Sequence, residues 1–291
     1  MNVVIIGAGG LLGNACLRIF NESSNINAIG TFRSEYHSKK FSHKSVQHYF
    51  LSDALNVEQL KLLFENLRPS VVINCTSLSK NKLRNSNPLE IIPIYSLLPH
   101  ILADFCYRFS ARFIQISSDG VFSGARGGYC EKDIPDAPDL YGRAKLLGEA
   151  TGQSCVTLRT SMLGHNSNST NGLVSWFLNQ KESCLGFTEA IFSGFPVTTL
   201  ARIIRDQVLP QEALRGLYNL ASTPISKFDL LLLIADIYSV DIMVVPDNSI
   251  KINRSLDASK FNTETGYAPP SWHDLIVSMR DDYLNLTNKE L

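Results

Sequence analysis

The sequence predicts an α/β protein built on a doubly wound parallel sheet with helices on both faces. Three observations predict it. Up to about residue 160, short runs rich in β-branched residues alternate with segments whose apolar residues recur every three to four positions. A glycine-rich turn follows the first of these runs directly. The chain has 291 residues, 44% of them hydrophobic and 19% charged, which suits one enlarged or two average globular domains and argues against long disordered tails.

Six strands and one especially clear helix are predicted in this first region. The predicted strands span 2–6, 27–31, 46–50, 71–75, 112–118 and 155–159. Between the third and the fourth, apolar residues with helical spacing form a single face, consisting of Val57, Leu60, Leu63, Phe64 and Leu67. Because that face is continuous, we expect it to cover the sheet.

A polar stretch at 165–171 separates this alternating region from a less regular one. We therefore expect a nucleotide-binding domain over 1–163 and a smaller C-terminal α/β domain, mainly for substrate binding, over 164–291. The segment 198–222 is expected to return to the first domain.

Two helix starts in the later region carry Ser-x-x-Asp capping patterns, at Ser226 and Ser271. The serine hydroxyl of such a pattern accepts a hydrogen bond from a backbone N–H group that the helix itself cannot satisfy. The last helix is predicted to bury Trp272, Leu275, Ile276 and Met279.

Charge and cysteine usage exclude several classes of function. The 27 basic and 27 acidic residues balance, and no block of five like charges occurs, so neither a nucleic acid nor an anionic membrane is expected as a partner. No secretory signal is visible, and no apolar run approaching the ~20 residues of a membrane span is evident. The six cysteines form no CxxC pair, which predicts a cytoplasmic protein without a metal site.

The glycine-rich turn predicts a dinucleotide site. Gly7, Gly10 and Gly13 follow a strand and open a helix, and their spacing allows a tight turn and close approach of the backbone to a pyrophosphate. Leu11 and Leu12 lie in the first turn of that helix, whose free N–H groups and positive dipole favour an anion. The predicted sheet is therefore of the Rossmann type.

Two further positions could contact the adenosine half of the dinucleotide. About twenty residues beyond the turn, where an NAD site usually offers an acid to the ribose, the sequence has Arg33, whose guanidinium suits the 2′-phosphate of NADPH or NADP+. An exposed arginine with no ligand is the alternative. Asp53, followed by Ala54, could accept a hydrogen bond from an adenine amino group, or else cap the helix that begins near Val57.

A tyrosine and a lysine four residues apart suggest acid–base chemistry. Tyr141 and Lys145 fall one helical turn apart on one face, so the ammonium can favour ionisation of the phenol. Ser118 ends a predicted strand and could hydrogen-bond a substrate carbonyl oxygen beside the phenol. The three residues together predict proton transfer to or from a carbonyl substrate.

The motifs resemble those of the extended short-chain dehydrogenase/reductases, and within them the dTDP-4-dehydrorhamnose reductase group. The segments that carry this resemblance are the GxxGxxG turn, Asn74, Ser117 to Phe122, Tyr141 to Glu149, Leu158 to Ser161, Gly216 to Leu220 and Leu256 to Lys260. It implies that Ser118, Tyr141 and Lys145 are catalytic, with Tyr141 as proton donor and Lys145 on the nicotinamide ribose. It also implies that Cys75, Thr76 and Ser77 lie beside the cofactor. The other expected cofactor-binding residues are those of the glycine turn and first helix turn, Arg33, Asp53, Ala54, Tyr141 and Lys145.

Three positions depart from the pattern of the group. Gly120 replaces a tyrosine, Tyr95 stands where many relatives have an asparagine, and the segment 253–257 differs locally. These departures concern the sugar and the nucleotide base rather than hydride transfer. Among candidate substrate residues, Thr160 follows from the resemblance. Trp176 could stack on a base and Arg254 could hold a diphosphate, although ordinary core and surface roles are alternatives.

The sequence thus predicts an NADPH-dependent reductase acting on the C4 keto group of a nucleotide-linked 4-keto-6-deoxy sugar, for surface polysaccharide precursors. A nucleotide-sugar epimerase and a non-catalytic NADP-binding regulatory subunit are the alternatives. A 4,6-dehydratase is disfavoured, because Asp119 is followed by Gly120 and not by the expected glutamate. A homodimer is the assembly considered.

Overall fold

The structure is a computed structural model that describes residues 1–35, 38, 47–78, 83, 86–165 and 172–287. Packing divides the chain into two compact units, which we call the sheet unit and the second unit. The sheet unit comprises Met1–Val121, Ala137–Arg159 and Ala201–Tyr218. The second unit comprises Phe122–Asp136, Thr160–Leu200 and Asn219–Leu291.

The sheet unit is organised around seven strands in the order β7-β6-β5-β4-β1-β2-β3. The strands are β1 Asn2–Ile6, β2 Asn27–Phe32, β3 Gln47–Phe50, β4 Val71–Asn74, β5 Arg112–Ser118, β6 Cys155–Thr160 and β7 Gly216–Asn219. Strand β1 pairs in parallel with β2 on one side and with β4 on the other. The strand order therefore reverses beside β1, and in such sheets ligands bind at the carboxyl ends of the strands at that point.

The predicted fold class is confirmed, and the strand bounds agree closely with the expected ones. The strands at 2–6 and 112–118 have the predicted bounds, and those predicted at 27–31, 71–75 and 155–159 differ by one residue at their ends. Residue 46, the first of the predicted third strand, lies outside the described residues. The seventh strand comes from within the segment 198–222.

Helices α1 Leu11–Phe20, α2 Val57–Leu67, α3 Pro88–Arg108, α4 Leu140–Leu147 and α5 Val197–Ile203 follow in chain order. The apolar face of α2 packs on the sheet through Leu60, Leu63 and Phe64. The side chain of Asn56 accepts the N–H of Gln59 and so begins this helix. The alternative in which Asp53 caps the helix is therefore wrong.

Helix α3 corrects one expectation from the sequence. Over its 21 residues it is long and apolar enough, by length and composition alone, to cross a membrane. One face of the helix, with Leu98, Leu102, Phe105 and Cys106, belongs to the core, whereas Leu89, Leu97 and Tyr107 are exposed. The buried face of the helix covers the sheet. A π turn at Pro93–Leu97 interrupts it.

The second unit is built from short elements. Its strands are Met162–Leu163, Ser183–Phe187, Ala190–Phe192, Phe195–Pro196, Ile225–Ser226, Met243–Asp247 and Ile252–Asn253. Its further helices are Leu173–Phe177, Lys227–Ile237, Ser259–Thr265 and Trp272–Thr287. Strand Ser183–Phe187 pairs in parallel with Met243–Asp247. The core of the unit contains Leu230, Ile234 and Ile276.

Both predicted helix caps of the second unit are confirmed. Ser226 Oγ accepts from the N–H of Asp229 at 3.0 Å, and Ser271 Oγ accepts from the N–H of Asp274 at 3.2 Å. In the last helix Leu275, Ile276 and Met279 are buried, whereas Trp272 is half-buried. Of the polar stretch 165–171, only His165 lies within the described residues.

Candidate active site

The glycine turn between β1 and α1 is a tightly packed loop whose backbone, rather than side chains, faces the start of α1. Gly7 has a φ of +85°, which favours glycine, and its N–H donates to Thr31 Oγ1 at 3.1 Å. A Cβ at Gly13 would lie 2.3 Å from the carbonyl oxygen of Gly7, so only glycine lets the helix approach the turn this closely. Within the described residues, no side chain caps α1 and its first turn holds no acid. The N–H groups of that turn, including those of Leu11 and Leu12, suit a phosphate anion.

The other candidate cofactor residues follow the carboxyl ends of neighbouring strands. Arg33 is exposed and comes directly after β2. Asp53 lies beyond β3 and is followed by Ala54, and its Oδ1 accepts from the N–H of Leu55 at 2.9 Å. After β4, Cys75 is buried. The ends of parallel strands share one edge of the sheet, so these residues border the edge that holds the glycine turn.

The turn after β4 is held by an asparagine at its start. Asn74 Oδ1 accepts from both the N–H and the hydroxyl of Thr76, at 3.1 and 2.7 Å. Ser77, the next residue, is exposed. These bonds hold the backbone of Thr76 in place. That backbone packs directly against Gly7, since a Cβ on Gly7 would lie 2.9 Å from Thr76 Cα.

The structure brings Ser118, Tyr141 and Lys145 together at the ends of β5 and α4. Asp139 caps α4 by accepting the N–H of Gly142 at 2.7 Å, which places the tyrosine in the first turn. Lys145 is only 7% exposed, and its Nζ donates to the carbonyl oxygen of Ile116 at 2.7 Å. The Ser118 hydroxyl donates to Asp119 Oδ1 at 3.1 Å and accepts the N–H of Gly120 at 3.0 Å, and its proximity to the phenol acts to lower the pKa of Tyr141.

Burial sets the protonation of the two titratable groups. It raises the pKa of Tyr141 well above its usual range, and the hydrogen bond with Ser118 opposes this shift. Burial also lowers the pKa of Lys145 to about 8, against the attraction of nearby Cys75 and Glu149. At neutral pH the phenol therefore carries its proton and the amine is mostly an ammonium. This state is ready to give a proton to a substrate oxygen.

Tyr95 is a residue of this site that the sequence did not assign to it. It lies in the π turn of α3, and its ring centroid is 5.0 Å from Lys145 Nζ and 5.2 Å from the ring centroid of Tyr141. Its hydroxyl accepts the N–H of Leu78 at 2.8 Å. The sequence signalled only that Tyr95 differs from the asparagine of many relatives. No local spacing connects it with a helix that begins 45 residues later.

A buried ion pair supports the same region of the sheet unit. Arg159 donates through Nε and Nη2 to the two carboxylate oxygens of Glu149, both at 2.8 Å. Ser117 Oγ donates to Glu149 Oε1 at 2.7 Å. The two charged side chains are 3% and 8% exposed. This network joins the strand end that carries Ser118 to the chain that follows Lys145.

The candidate substrate residues lie in the second unit and have different settings. Thr160 is 2% exposed, and its hydroxyl donates to the carbonyl oxygen of Ser161 at 3.3 Å. Trp176 is 40% exposed on the helix Leu173–Phe177. Arg254 is half-buried, with its Cγ 3.0 Å from the position that a Cβ on Gly124 would take. Their roles stay predictions.

A match to a family model identifies the protein family of this chain. The model described as RmlD substrate binding domain matches residues 1–284. The chain belongs to this family. The resemblance to dTDP-4-dehydrorhamnose reductases among the extended short-chain dehydrogenase/reductases is thereby confirmed.

Curated relatives match over part of the RmlD-family chain. Methionine adenosyltransferase 2 subunit beta of Rattus norvegicus is 33% identical over 148 residues, which is 50% of this chain and 41% of the relative. A probable low-salt glycan biosynthesis reductase, Agl14 of Haloferax volcanii, is 31% identical over 150 residues, which is 51% of this chain and 48% of the relative. The chain thus spans less than half the length of each of these two relatives.

A solved structure matches along nearly the whole chain. The dTDP-4-dehydrorhamnose reductase of Bacillus anthracis, in complex with NADP, has a TM-score of 0.77 and 20% identity. The match covers 97% of this chain and 99% of that one. At this identity the likeness establishes the fold, which is the one described above.

Proposed function

We propose that this chain is an NADPH-dependent reductase of the C4 keto group of a nucleotide-linked 4-keto-6-deoxy sugar, of use in making surface polysaccharide precursors. The observation that carries the proposal is the joint placement of Ser118, Tyr141 and Lys145. A phenol that retains its proton, a hydroxyl beside it and a buried ammonium are the groups that carbonyl reduction requires. The name of the Haloferax volcanii relative, a glycan biosynthesis reductase, supports the same class of reaction.

The cofactor side of the proposal rests on the glycine turn. Gly7, Gly10 and Gly13 leave room for a pyrophosphate, and the first turn of α1 offers N–H groups to it. Arg33 is exposed at the end of β2, where a guanidinium can bind a 2′-phosphate. The NADP bound by the Bacillus anthracis neighbour is consistent with this choice. When bound, NADPH would supply the hydride that reaches C4 of the sugar.

The protein's own groups would handle the proton and the developing charge. Tyr141 gives its proton to the oxygen that was the C4 carbonyl, and Ser118 donates a hydrogen bond to the same oxygen. Lys145 binds the nicotinamide ribose and biases the phenol toward ionisation as its proton leaves. The keto group gains one hydride and one proton and becomes an alcohol, after which Tyr141 is reprotonated from solvent.

Substrate recognition belongs to the second unit in this proposal. Trp176 would stack on the nucleotide base, Arg254 would hold the diphosphate and Thr160 would border the sugar. A cytoplasmic location is part of the proposal, because all six cysteines are free thiols, as expected in a reducing compartment. A homodimer remains the assembly that we propose.

The deciding experiment compares wild type with Tyr141→Phe. Both proteins are given NADPH and a panel of nucleotide-linked 4-keto-6-deoxy sugars, and cofactor oxidation is followed by absorbance. Loss of a general acid should lower turnover by ~10² to 10⁴ while NADPH binding, measured by titration, stays nearly intact. Ser118→Ala should mainly lower turnover, and Lys145→Ala should impair both turnover and binding.

Three outcomes would redirect the proposal. Equal rates for wild type and Tyr141→Phe would exclude the proton-transfer mechanism. If the wild type binds NADPH but oxidises none across the panel, the non-catalytic binding subunit becomes the better hypothesis; the Rattus norvegicus relative is named as a subunit. Conversion of one sugar into another without net cofactor consumption would instead identify an epimerase.

A further inference from the structure

Tyr95 is a buried residue that contacts both titratable residues of the candidate active site, Tyr141 and Lys145. It is 3% exposed and lies in the π turn of α3, packed with Ile91 and Ala144. A Cβ at Gly148 would lie 1.9 Å from the carbonyl oxygen of Tyr95, so the end of α4 approaches this turn as closely as only glycine allows. The backbone of Tyr95 is therefore held directly against the helix that carries the catalytic pair.

The Tyr95 ring adds to the attractions that stabilise the buried ammonium of Lys145. Lys145 Nζ donates to one carbonyl oxygen, that of Ile116, and lies 5.0 Å from the centroid of the Tyr95 ring. Cations within about 6 Å of an aromatic ring centroid are attracted to the negative ring face, and more strongly where water is excluded. Burial destabilises this ammonium. The ring offsets part of that cost and fixes the position of Nζ.

The same ring restrains the catalytic phenol. The Tyr95 and Tyr141 rings are T-shaped, with planes at 89° and centroids 5.2 Å apart. Such edge-to-face pairs are favourable and directional, so the plane of the Tyr141 ring is set by its neighbour. With that plane fixed, the phenol oxygen stays in reach of the Ser118 hydroxyl.

The hydroxyl of Tyr95 reaches the turn on the cofactor side. It accepts the N–H of Leu78 at 2.8 Å, four residues after β4 ends at Asn74. This turn contains Cys75 to Ser77, which the resemblance to the reductase group implies lie beside the cofactor. One buried side chain thus touches the acid, the ammonium and the cofactor-side turn.

We propose that Tyr95 is a positioning residue that keeps Lys145 charged and in place, orients Tyr141 and ties both to the turn after β4. The inference rests on the proposed function for its catalytic meaning, but the contacts with Lys145 can be tested without turnover. It also gives a role to the departure of Tyr95 from the asparagine of many relatives.

The test uses two variants of Tyr95 that separate the ring from the hydroxyl. Tyr95→Leu removes the ring, and the pKa of Lys145, followed by NMR on isotope-labelled lysine in the cofactor-free protein, should fall by about one unit. Since the ammonium is then lost at lower pH, the alkaline limb of the kcat profile should move by the same amount toward acid. Tyr95→Phe keeps the ring, so the Lys145 pKa and the alkaline limb of the kcat profile should not change. KM for NADPH should rise several-fold in this variant, because the N–H of Leu78 loses its acceptor.

A matched control separates positioning from packing. Leu102→Ala removes buried volume from the same helix and should lower the melting temperature without moving the Lys145 pKa or the alkaline limb. If Tyr95→Leu leaves the Lys145 pKa unchanged or raises it, or if Leu102→Ala shifts it equally, the inference is overturned. Should Tyr95→Leu not fold, fluorinated phenylalanines at position 95 keep the shape and weaken the ring face, and the Lys145 pKa should fall with each added fluorine. An unchanged pKa along that series overturns the inference as well.

The proposed function can fail separately. A wild type that binds NADPH without reducing any sugar of the panel refutes the reductase. The Lys145 titration would still decide whether Tyr95 holds the ammonium.

Discussion

The two units differ in how they hold the residues assigned to function. In the sheet unit Ser118, Tyr141 and Lys145 stand at the ends of regular elements, and each has a hydrogen-bond partner. In the second unit, Trp176 lies 40% exposed on a helix of five residues. The difference teaches that the candidate catalytic side chains are held by the protein itself. The exposed indole of Trp176, in contrast, is one that a ligand could order on binding.

Breaking the buried ion pair of Glu149 and Arg159 in the sheet unit should cause a large loss of stability. Glu149→Gln leaves the guanidinium of Arg159 buried without its counter-charge, so the free energy of unfolding should fall by roughly 3 kcal/mol. Chemical denaturation of the two proteins measures the loss. The double variant Glu149→Gln, Arg159→Met should recover part of it, because neither charge then stays buried.

An exposed ion pair provides the control for this prediction. Asp104 and Arg108 form an i, i+4 pair on α3 with more than half of each side chain exposed. Asp104→Asn should change the unfolding free energy by no more than ~0.5 kcal/mol, since solvent screens such pairs. If Glu149→Gln cost as little as Asp104→Asn, the sheet unit would not be the region held by buried polar contacts.

The same contrast explains what the sequence could predict. The alternation of strands and helices, the glycine turn and the Tyr141–Lys145 spacing are local patterns. The bounds of the central strands were predictable to about one residue, because burial on a parallel sheet imposes a visible hydrophobic run, which the exposed edge strand β3 lacks. The contacts of Tyr95 join elements far apart in sequence, so no local pattern reports them.

Other misses have equally physical causes. Helix α3 carries exposed apolar residues such as Leu89 and Tyr107 besides its buried face, so its sequence has no clear helical period that would predict one long helix. Asp53 and Asn56 are both good caps, and their order along the chain does not say which of them the helix uses. In the second unit, strands of two to five residues are too short to show a period, and the sequence predicted only the two serine caps and the buried face of the last helix.

A smaller effect is expected at the exposed edge of the sheet unit. Arg33→Ala removes one charge-assisted contact to the 2′-phosphate, worth ~1.5 to 3 kcal/mol, so the preference for NADPH over NADH should narrow by about one to two decades. Titration of both cofactors measures the ratio, and the unfolding free energy should stay within ~0.5 kcal/mol because Arg33 is exposed. An unchanged ratio would show that Arg33 does not contact the phosphate. A large loss of stability would place it among the buried supports.

The smallest effect tests the second unit directly. Trp176→Ala should leave NADPH affinity unchanged and lower the unfolding free energy by about 1 kcal/mol, because the indole is substantially exposed. If the indole stacks on the nucleotide base, its loss should raise KM for the nucleotide sugar about tenfold, as expected from stacking energies of ~1 to 3 kcal/mol. Leu185→Ala, at another exposed apolar side chain of the same unit, should change neither KM nor affinity. A KM that stays constant in Trp176→Ala removes this residue from the proposed substrate site. A weaker NADPH affinity with unaltered KM would instead assign the indole to the cofactor, and the functional contrast between the two units would then fail at this position.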